Sequence, residues 1–334
     1  MSPYASELER SFAADKPYVS PQYATISVTP RCNLKCTYCF QTGRNQKLEP
    51  TFEQLRHIIK DARSLGVTRL SLSGGEPLLR DDLDELIHFA SQLDLVVGVD
   101  TNGMLLTLER GKDLLASGLG YLCVSLDALS RKENAKTRVG FTRDPYDILS
   151  IMQTLCRDKP SLKAIVLCTI SRENYMEVPA LIEHVVGQGL SVLLQPVNLT
   201  IHRHQDNKRH WVPYEQLHTF KRISGRLAKM KQDGLPIQNS VDFLLGMSDY
   251  MAGLSPRLTR CYVGYLHIIV NVDLQLESCP ELPAIGDLRR QSLMEVWFSE
   301  AMEQLRKQIR IGKCPGCWSS CHTERSLRFT KEQA

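Results

Sequence analysis

The sequence lacks long apolar runs and a classical export signal. No stretch of its 334 residues approaches the roughly 20 consecutive apolar residues that a membrane-spanning helix needs. The first residues, MSPYASELERSFAADK, are polar and contain no apolar core of the kind found in secretory signals. We therefore expect a cytoplasmic protein that makes no membrane contact.

A dominant charge is also missing. The chain carries 41 Lys and Arg against 37 Asp and Glu, a net charge of +4, which is too small to favour a nucleic-acid partner. Low-complexity tracts and long internal repeats are absent as well. With 43% apolar residues, the composition is that of a globular protein able to bury a large core.

Cysteine, in contrast, is abundant. Disulfide frameworks are not expected in the cytosol, so the eleven cysteines need another explanation. Three scattered cysteines lie in apolar stretches and are expected to be core residues: Cys123, Cys156 and Cys168. The other eight form two groups: Cys32, Cys36 and Cys39, then Cys261, Cys279, Cys314, Cys317 and Cys321.

Short β-branched apolar runs alternate with amphipathic segments over the first two thirds of the chain. The runs predict strands at 24–30, 67–73, 95–100, 121–127, 163–170 and 191–197. Such alternation implies parallel strands joined by right-handed crossovers. We expect an α/β fold, a partial (βα)6 barrel whose site lies at the C-terminal ends of the strands, with a Cys-rich hairpin and helix extension.

The pattern divides the chain into four parts: an N-terminal extension (1–22), the barrel core (23–200), a linker or substrate-covering region (201–260) and a Cys-rich C-terminal domain (261–334). The last part predicts a hairpin turning near Asp273 and one helix over 292–310. The basic segment 201–230 could attract an anionic substrate to the site. We favour an ordinary solvated helix face, since that is the commoner arrangement for a charge run.

The first cysteine group lies on one loop directly after the first predicted strand. A structural zinc ion takes four protein ligands, so zinc would need a distant fourth ligand here. A four-iron, four-sulfur cluster held by three cysteines leaves one iron without a protein ligand, open to a substrate or cofactor. The spacing alone leaves both possibilities open.

The CxxxCxxC pattern of this loop, with Tyr38 before its last cysteine, resembles the radical S-adenosylmethionine (radical SAM) superfamily. Further motifs extend the resemblance along the chain. Each motif follows or ends a predicted strand: Gly74-Gly75-Glu76-Pro77, Thr101-Asn102-Gly103, Ser125-Leu126-Asp127 with Arg138 beyond it, and Gln195-Pro196. These positions put the motifs at one end of the barrel.

The resemblance implies that the first three cysteines hold a [4Fe-4S] cluster whose open iron binds S-adenosylmethionine. It also implies cofactor-binding roles for ten residues, and no catalytic residue beyond the cofactor site. Around the amino acid part of S-adenosylmethionine, the backbone of Gly74 and Gly75 and the side chain of Glu76 would contact the ammonium group, while Ser125 and Arg138 would hold the carboxylate. Pro77 would fix the turn. The ribose would be contacted by Thr101, Asn102 and Asp127, and Tyr38 would either lie near the adenine or simply pack.

The second cysteine group resembles the SPASM or Twitch extension of radical SAM enzymes. Five cysteines fall short of a full SPASM set, so we expect one auxiliary [4Fe-4S] cluster. The preferred ligands are Cys261, Cys279, Cys314 and Cys317, with Cys321 as a spare or a replacement. Leu274 stands where such hairpins usually carry glycine. A four-cysteine zinc site remains the alternative, because zinc ribbons use similar spacing.

The resemblance implies a radical SAM oxidoreductase- or lyase-type enzyme that forms a 5′-deoxyadenosyl radical and removes hydrogen from its substrate. We expect oxidation, decarboxylation or rearrangement of a small molecule resembling a sugar or nucleotide, within cofactor or natural-product biosynthesis. Modification of a ribosomally made peptide is the alternative, and a non-enzymatic iron–sulfur or zinc protein is the alternative from another class. A flavodoxin or ferredoxin would donate electrons.

Overall fold

The computed structural model describes residues 2–39, 49–198, 205–254, 260–279, 282–313 and 316–331. Its main sheet contains the six predicted parallel strands, each within two residues of its predicted bounds. The strands of the described chain are β1 (Tyr23–Thr29), β2 (Lys35–Cys36), β3 (Arg69–Gly74), β4 (Val96–Thr101), β5 (Tyr121–Ser125), β6 (Arg138–Val139), β7 (Lys163–Ile170), β8 (Ser191–Pro196), β9 (His267–Val270) and β10 (Leu276–Glu277).

Helices separate the strands of the core and continue through the C-terminal part. They are α1 (Pro3–Ala14), α2 (Phe52–Ser64), α3 (Leu83–Ser91), α4 (Leu108–Ala116), α5 (Arg131–Thr137), α6 (Pro145–Asp158), α7 (Val178–Gly187), α8 (Leu217–Gln232), α9 (Val241–Met251), α10 (Val263–Leu266), α11 (Leu293–Trp297), α12 (Glu300–Arg310) and α13 (Thr323–Lys331). None of these described helices is both long enough and apolar enough to cross a bilayer.

The main sheet has eight strands where the sequence predicted six. Its order is β10-β9-β1-β3-β4-β5-β7-β8. Strand β9 runs parallel to β1, with Ala24 opposite Ile268, and β10 returns antiparallel to β9. The hairpin expected in a separate auxiliary domain therefore extends the core sheet. Only the tertiary fold reveals this, because the two paired strands are far apart in sequence.

One local prediction about helices needs correction, and one helix was not predicted. The single helix expected over 292–310 is broken between α11 and α12, because Ser299 caps α12 by accepting a hydrogen bond from the Met302 amide. The N-terminal extension contains α1, whose Leu8 and Phe12 pack on Tyr262 and Tyr265. The predicted basic helix is present as α8.

The sheet buries one face and leaves the other partly open. Residues on the outer face, such as Leu72, Val99 and Val166, are fully buried beneath the helices. Alternate residues on the inner face keep some exposed surface, as Asp100 and Leu193 do. We call the space that these inner residues surround the bore.

The C-terminal tail connects β8 and β1, the first and last of the six parallel strands that were predicted. On β8, Gln195 accepts a hydrogen bond from the Ser320 amide and donates one to the Trp318 carbonyl. On β1, the Tyr23 ring lies 3.8 Å beneath the Arg325 guanidinium. The tail thus spans the gap that six parallel strands leave in a barrel, and it brings the second cysteine group beside the bore.

Candidate functional site

The first cysteine loop is anchored by a small second sheet. Cys36 lies in β2, which pairs with β6 at Arg138, and the Thr37 amide donates to the Thr137 carbonyl at 2.8 Å. Cys32 is exposed and Cys36 and Cys39 are half-buried. Burial raises the pKa of Cys36 to about 12, more than the nearby Arg138 lowers it. Three thiols on one anchored, accessible loop suit a three-cysteine iron–sulfur cluster.

Glu76 is the centre of a buried hydrogen-bond network at the end of β3. Its carboxylate accepts from the Thr101 hydroxyl at 2.6 Å, the Asn102 amide at 2.7 Å and the Leu78 amide at 3.1 Å. Burial raises its pKa, against these hydrogen bonds. Glu76 has no exposed surface and connects these elements structurally, and its contact with the ammonium group stays a prediction.

The same network gives Thr101 and Asn102 positioning roles. Thr101, 2% exposed, donates to Glu76 and accepts from the Gly103 amide, and its ribose contact stays a prediction. The Asn102 side-chain amide donates to Asn33 Oδ1 at 2.7 Å and lies 3.9 Å from Cys32 Sγ. Asn102 therefore connects the third-strand motif to the cysteine loop.

Gly75 lets two loops approach closely, in addition to its predicted contact with the cofactor. A Cβ atom added there would lie 2.1 Å from the Arg31 carbonyl oxygen, so no other residue fits without backbone movement. The Glu76 amide also donates to that oxygen at 2.7 Å. The close approach is thus to the end of β1, with Gly74 alongside, and Pro77 begins a short 3₁₀ helix, Pro77–Leu79, as a turn-fixing residue would.

Asp127 and Arg138 form a buried bidentate ion pair. Both Arg138–Asp127 hydrogen bonds measure 2.9 Å, and both side chains are almost fully buried. The carboxylate also accepts from the Tyr38 hydroxyl and the Thr169 amide. These four bonds occupy the acceptor positions of Asp127 in this arrangement, and its ribose contact stays a prediction.

The pair bears on two of the predicted S-adenosylmethionine contacts. Asp127 takes two of the five N–H donors of Arg138, and the contact of Arg138 with the carboxylate of the cofactor stays a prediction. Ser125, at the end of β5, remains partly exposed and keeps that role as a prediction. The Tyr38 ring lies 6.1 Å from the His210 ring in an edge-on contact, and its adenine contact also stays a prediction.

The contact between the basic segment and the cysteine loop was not predicted from the sequence. Arg209 donates to the Thr37 carbonyl at 3.3 Å, and His210 pairs with Glu173 at 3.0 Å. His210 is 4% exposed beside Tyr38. Arg209 and His210 therefore cover part of the site. The basic residues of α8, such as Lys221 and Arg222, lie on an exposed face. The dense histidines and cations of 201–210 were the available signal.

The second cysteine group gathers near β9 and β10. Cys317 and Cys321 lie beside the buried His322, and Cys279 is close enough to Cys317 to affect its pKa. Burial opposes ionisation of Cys321, but His322 lowers its pKa to about 6. Cys261 is half-buried at the start of the same region. Cys314 lies outside the described residues.

In the described parts of the chain, no three His, Cys, Asp or Glu side chains surround one point that would hold a single metal ion. In a cubane, each cysteine binds a different iron atom, so its ligands are spread apart. The ten described cysteines are all thiols without a disulfide. Their donor chemistry therefore suits iron–sulfur clusters.

Comparison with known families matches this arrangement. Residues 26–185 match the Radical SAM superfamily. The chain belongs to the radical SAM superfamily. Residues 261–321 of this radical SAM protein match an iron–sulfur cluster-binding domain, SPASM. The matches confirm the predicted family and its cofactors, S-adenosylmethionine and [4Fe-4S] clusters, and leave the assignment of individual ligands as a proposal.

Several relatives of known description resemble this radical SAM protein. It is 26% identical over 271 residues to GTP 3′,8-cyclase of Thermodesulfovibrio yellowstonii, covering 77% of this chain and 81% of that protein. It is 23% identical to the tungsten-containing aldehyde ferredoxin oxidoreductase cofactor-modifying protein of Pyrococcus furiosus, covering 93% and 90%. A 38% identity to the probable GTP 3′,8-cyclase of Methanococcus maripaludis covers only 34% of this chain and 39% of that protein.

Solved structures share the fold. Streptococcus suis SuiB bound to precursor peptide SuiA superposes with a TM-score of 0.71 at 16% identity, covering 94% of this chain and 73% of that one. The anSMEcpe structure with bound AdoMet gives a TM-score of 0.65 at 15% identity, covering 94% and 96%. These likenesses confirm the predicted partial-barrel fold.

Proposed function

We propose that this radical SAM protein cleaves S-adenosylmethionine reductively and removes a hydrogen atom from a small-molecule substrate in the bore. The observation that carries the proposal is the contact of Asn102 with both Asn33 and Cys32. It brings the cysteine loop to the residues that follow β3 and β4. The relatives named for GTP cyclisation and cofactor modification support a small molecule in a biosynthetic reaction.

Three cysteines would hold the cluster that binds S-adenosylmethionine: Cys32, Cys36 and Cys39. When bound and reduced, this cluster supplies the electron that splits the sulfonium bond and yields a 5′-deoxyadenosyl radical. Gly74, Gly75 and Ser125, which are partly exposed at the same end of the barrel, would contact the ligand. Asp127 would keep Arg138 in place beneath the loop, and Tyr38 would be positioned by both.

The second cysteine group would hold one auxiliary [4Fe-4S] cluster. Cys261, Cys279, Cys314 and Cys317 are the proposed ligands, with Cys321 as the replacement. Because the tail bridges β8 and β1, this cluster would border the bore and exchange electrons with the substrate during oxidation, decarboxylation or rearrangement. A flavodoxin or ferredoxin would reduce the first cluster.

A peptide substrate is the second candidate function. Its support is the fold shared with SuiB, which is described as bound to a precursor peptide. A peptide maturase needs a longer binding surface than a small-molecule enzyme does. The proposal for a small molecule therefore also predicts no stable complex with a short precursor peptide.

Anaerobic reconstitution tests the proposed activity. With dithionite and S-adenosylmethionine, the wild-type chain should form 5′-deoxyadenosine while holding about eight irons, as two four-iron clusters require. The triple variant Cys32→Ala, Cys36→Ala and Cys39→Ala should keep about four irons and form none. Cys156→Ala, a cysteine outside both groups, is the matched control. A wild-type protein that holds both clusters and forms no 5′-deoxyadenosine contradicts the proposal.

A further inference from the structure

Side chains line the bore in layers, because neighbouring parallel strands keep their registers. Asp100 of β4 lies opposite Cys123 of β5, and Cys123 lies opposite Ile165 of β7. One layer nearer the C-terminal ends, Leu167 lies opposite Leu193. Since residues two apart on a strand share a face, these side chains all face the bore.

The layer beneath Asp100 forms a floor. Gly98 precedes Asp100 by two residues, and a Cβ atom there would lie 2.0 Å from the Tyr121 ring. The missing side chain lets the Tyr121 ring lie across β4 inside the bore. Arg325 of α13 closes the same end against Tyr23. Tyr121 and Arg325 thus cover the bore at the N-terminal ends of the strands.

The bore has two chemically different sides. On one side the Asp100 carboxylate accepts a hydrogen bond from the Ser71 hydroxyl at 2.5 Å, and the Cys123 thiol lies next to it. On the other side are the partly exposed, apolar Ile165, Leu167 and Leu193. Cys123 is buried, as predicted for a core residue, and its thiol has the Asp100 carboxylate on one side and Ile165 on the other.

We propose that Asp100 is a specificity-determining residue that accepts a hydrogen bond from an ammonium or hydroxyl group of the substrate, while the opposite side of the bore contacts its hydrocarbon part. The inference rests on the proposed function, because it takes the bore as the substrate site. It names the substrate class: an amphipathic molecule that carries an amine or alcohol and has no anionic group in the part that lies beside Asp100.

Several groups that face Asp100 set its charge. Burial raises its pKa to about 6, while Ser71 and Arg325 lower it. Tyr121 and Cys123 lie close by, and Glu76 lies near enough for electrostatic repulsion. The carboxylate is therefore ionised in mildly alkaline solution, where a cation entering the bore is favoured over an anion.

Charge-selective labelling of Cys123 tests the inference without a known substrate. The Cys123 thiolate attacks the sulfenyl sulfur of a methanethiosulfonate, forming a mixed disulfide and releasing methanesulfinate. The reconstituted enzyme is treated with the cationic aminoethyl reagent or the anionic sulfonatoethyl reagent in mildly alkaline buffer. Mass spectrometry of peptides then gives the labelling rate at Cys123. Cys168, which is fully buried on the outer face, is the reference for a thiol that the reagents do not reach.

The cationic reagent should label Cys123 about tenfold faster or more than the anionic one, and Asp100→Asn should bring the ratio close to one. Asp113→Asn, which changes an exposed carboxylate on α4, should leave the ratio unchanged. The ratio cancels any change in thiolate fraction, since both reagents need the same thiolate. An unlabelled Cys123, a ratio near one in wild type or an unchanged ratio in Asp100→Asn overturns the inference.

Formation of 5′-deoxyadenosine is measured separately on the same preparation. A normal labelling ratio in a chain that never cleaves S-adenosylmethionine would sink the proposed function alone. Normal cleavage with a ratio near one would sink the role of Asp100 alone.

Discussion

Asn102 and Cys32 are 70 residues apart in the chain, yet the Asn102 side-chain nitrogen lies 3.9 Å from Cys32 Sγ. The contact exists because Glu76 holds the Asn102 backbone amide at 2.7 Å. The three motifs that follow successive core strands thus form one connected unit. A substitution of Glu76 should therefore also affect the cysteine loop.

Glu76→Gln should destabilise the fold and weaken S-adenosylmethionine binding. The glutamine amide places a donor group among three donors, so at least one buried bond is lost at a cost of about 1–3 kcal/mol. Urea unfolding and equilibrium dialysis with S-adenosylmethionine measure both effects. Glu53→Gln, an exposed residue of α2, should change neither. Unchanged stability and binding in Glu76→Gln would show that the network has little importance.

Arg138→Ala should be far more destabilising than Arg226→Ala. Both arginines pair with a carboxylate, but the Arg138–Asp127 side chains are 5% and 4% exposed, against 56% for each side chain of Arg226–Glu183. Removing Arg138 leaves a buried, unpaired carboxylate and should cost about 3–5 kcal/mol. Removing Arg226 should cost less than about 1 kcal/mol. Urea midpoints compare the two, and equal losses would contradict the assignment.

At position 274, the glycine variant should be more stable than the alanine variant, which is the reverse of the usual order of stability. The φ of 55° at Leu274 lies in the left-handed region, which explains why glycine is the usual residue at this hairpin turn. Leu274→Gly should therefore be more stable than Leu274→Ala by about 1 kcal/mol, although both lose a buried side chain. Leu276 in β10 is the matched position, and there Ala should be more stable than Gly. Thermal unfolding of the four variants gives the order.

Asp100 should make the protein less stable as the pH rises. Its folded-state pKa of about 6 lies above the usual 3.8, so the folded chain binds more protons than the unfolded chain between those values. The free energy of unfolding therefore decreases with pH in that window, by up to about 1.4 kcal/mol per pH unit.

The matching experiment compares wild type with Asp100→Asn by urea unfolding on both sides of pH 6. The variant should gain stability relative to wild type only on the alkaline side. Asp113→Asn should show no such dependence. An Asp100→Asn effect that is the same at each pH would mean that burial does not perturb this carboxylate.

The strand positions follow from sequence because β-branched apolar runs bounded by turns have few other stable conformations in a core. The run KAIVLCTI became β7 with its predicted bounds, Lys163–Ile170. The motif residues were likewise correctly placed at the ends of strands. The pairing of Asp127 with Arg138 was not predicted, because it depends on how two separate loops pack.

The two cysteine groups and the core strands could be predicted from local spacing and periodicity, and the family from the motifs that resemble it. The pairing of β9 with β1, the bridge that the tail makes between β8 and β1, and the shared layer of Asp100 and Cys123 are seen only in the folded chain. These are contacts between segments distant in the chain. Their partners are selected by packing and hydrogen bonding in the whole fold, and no local pattern encodes them.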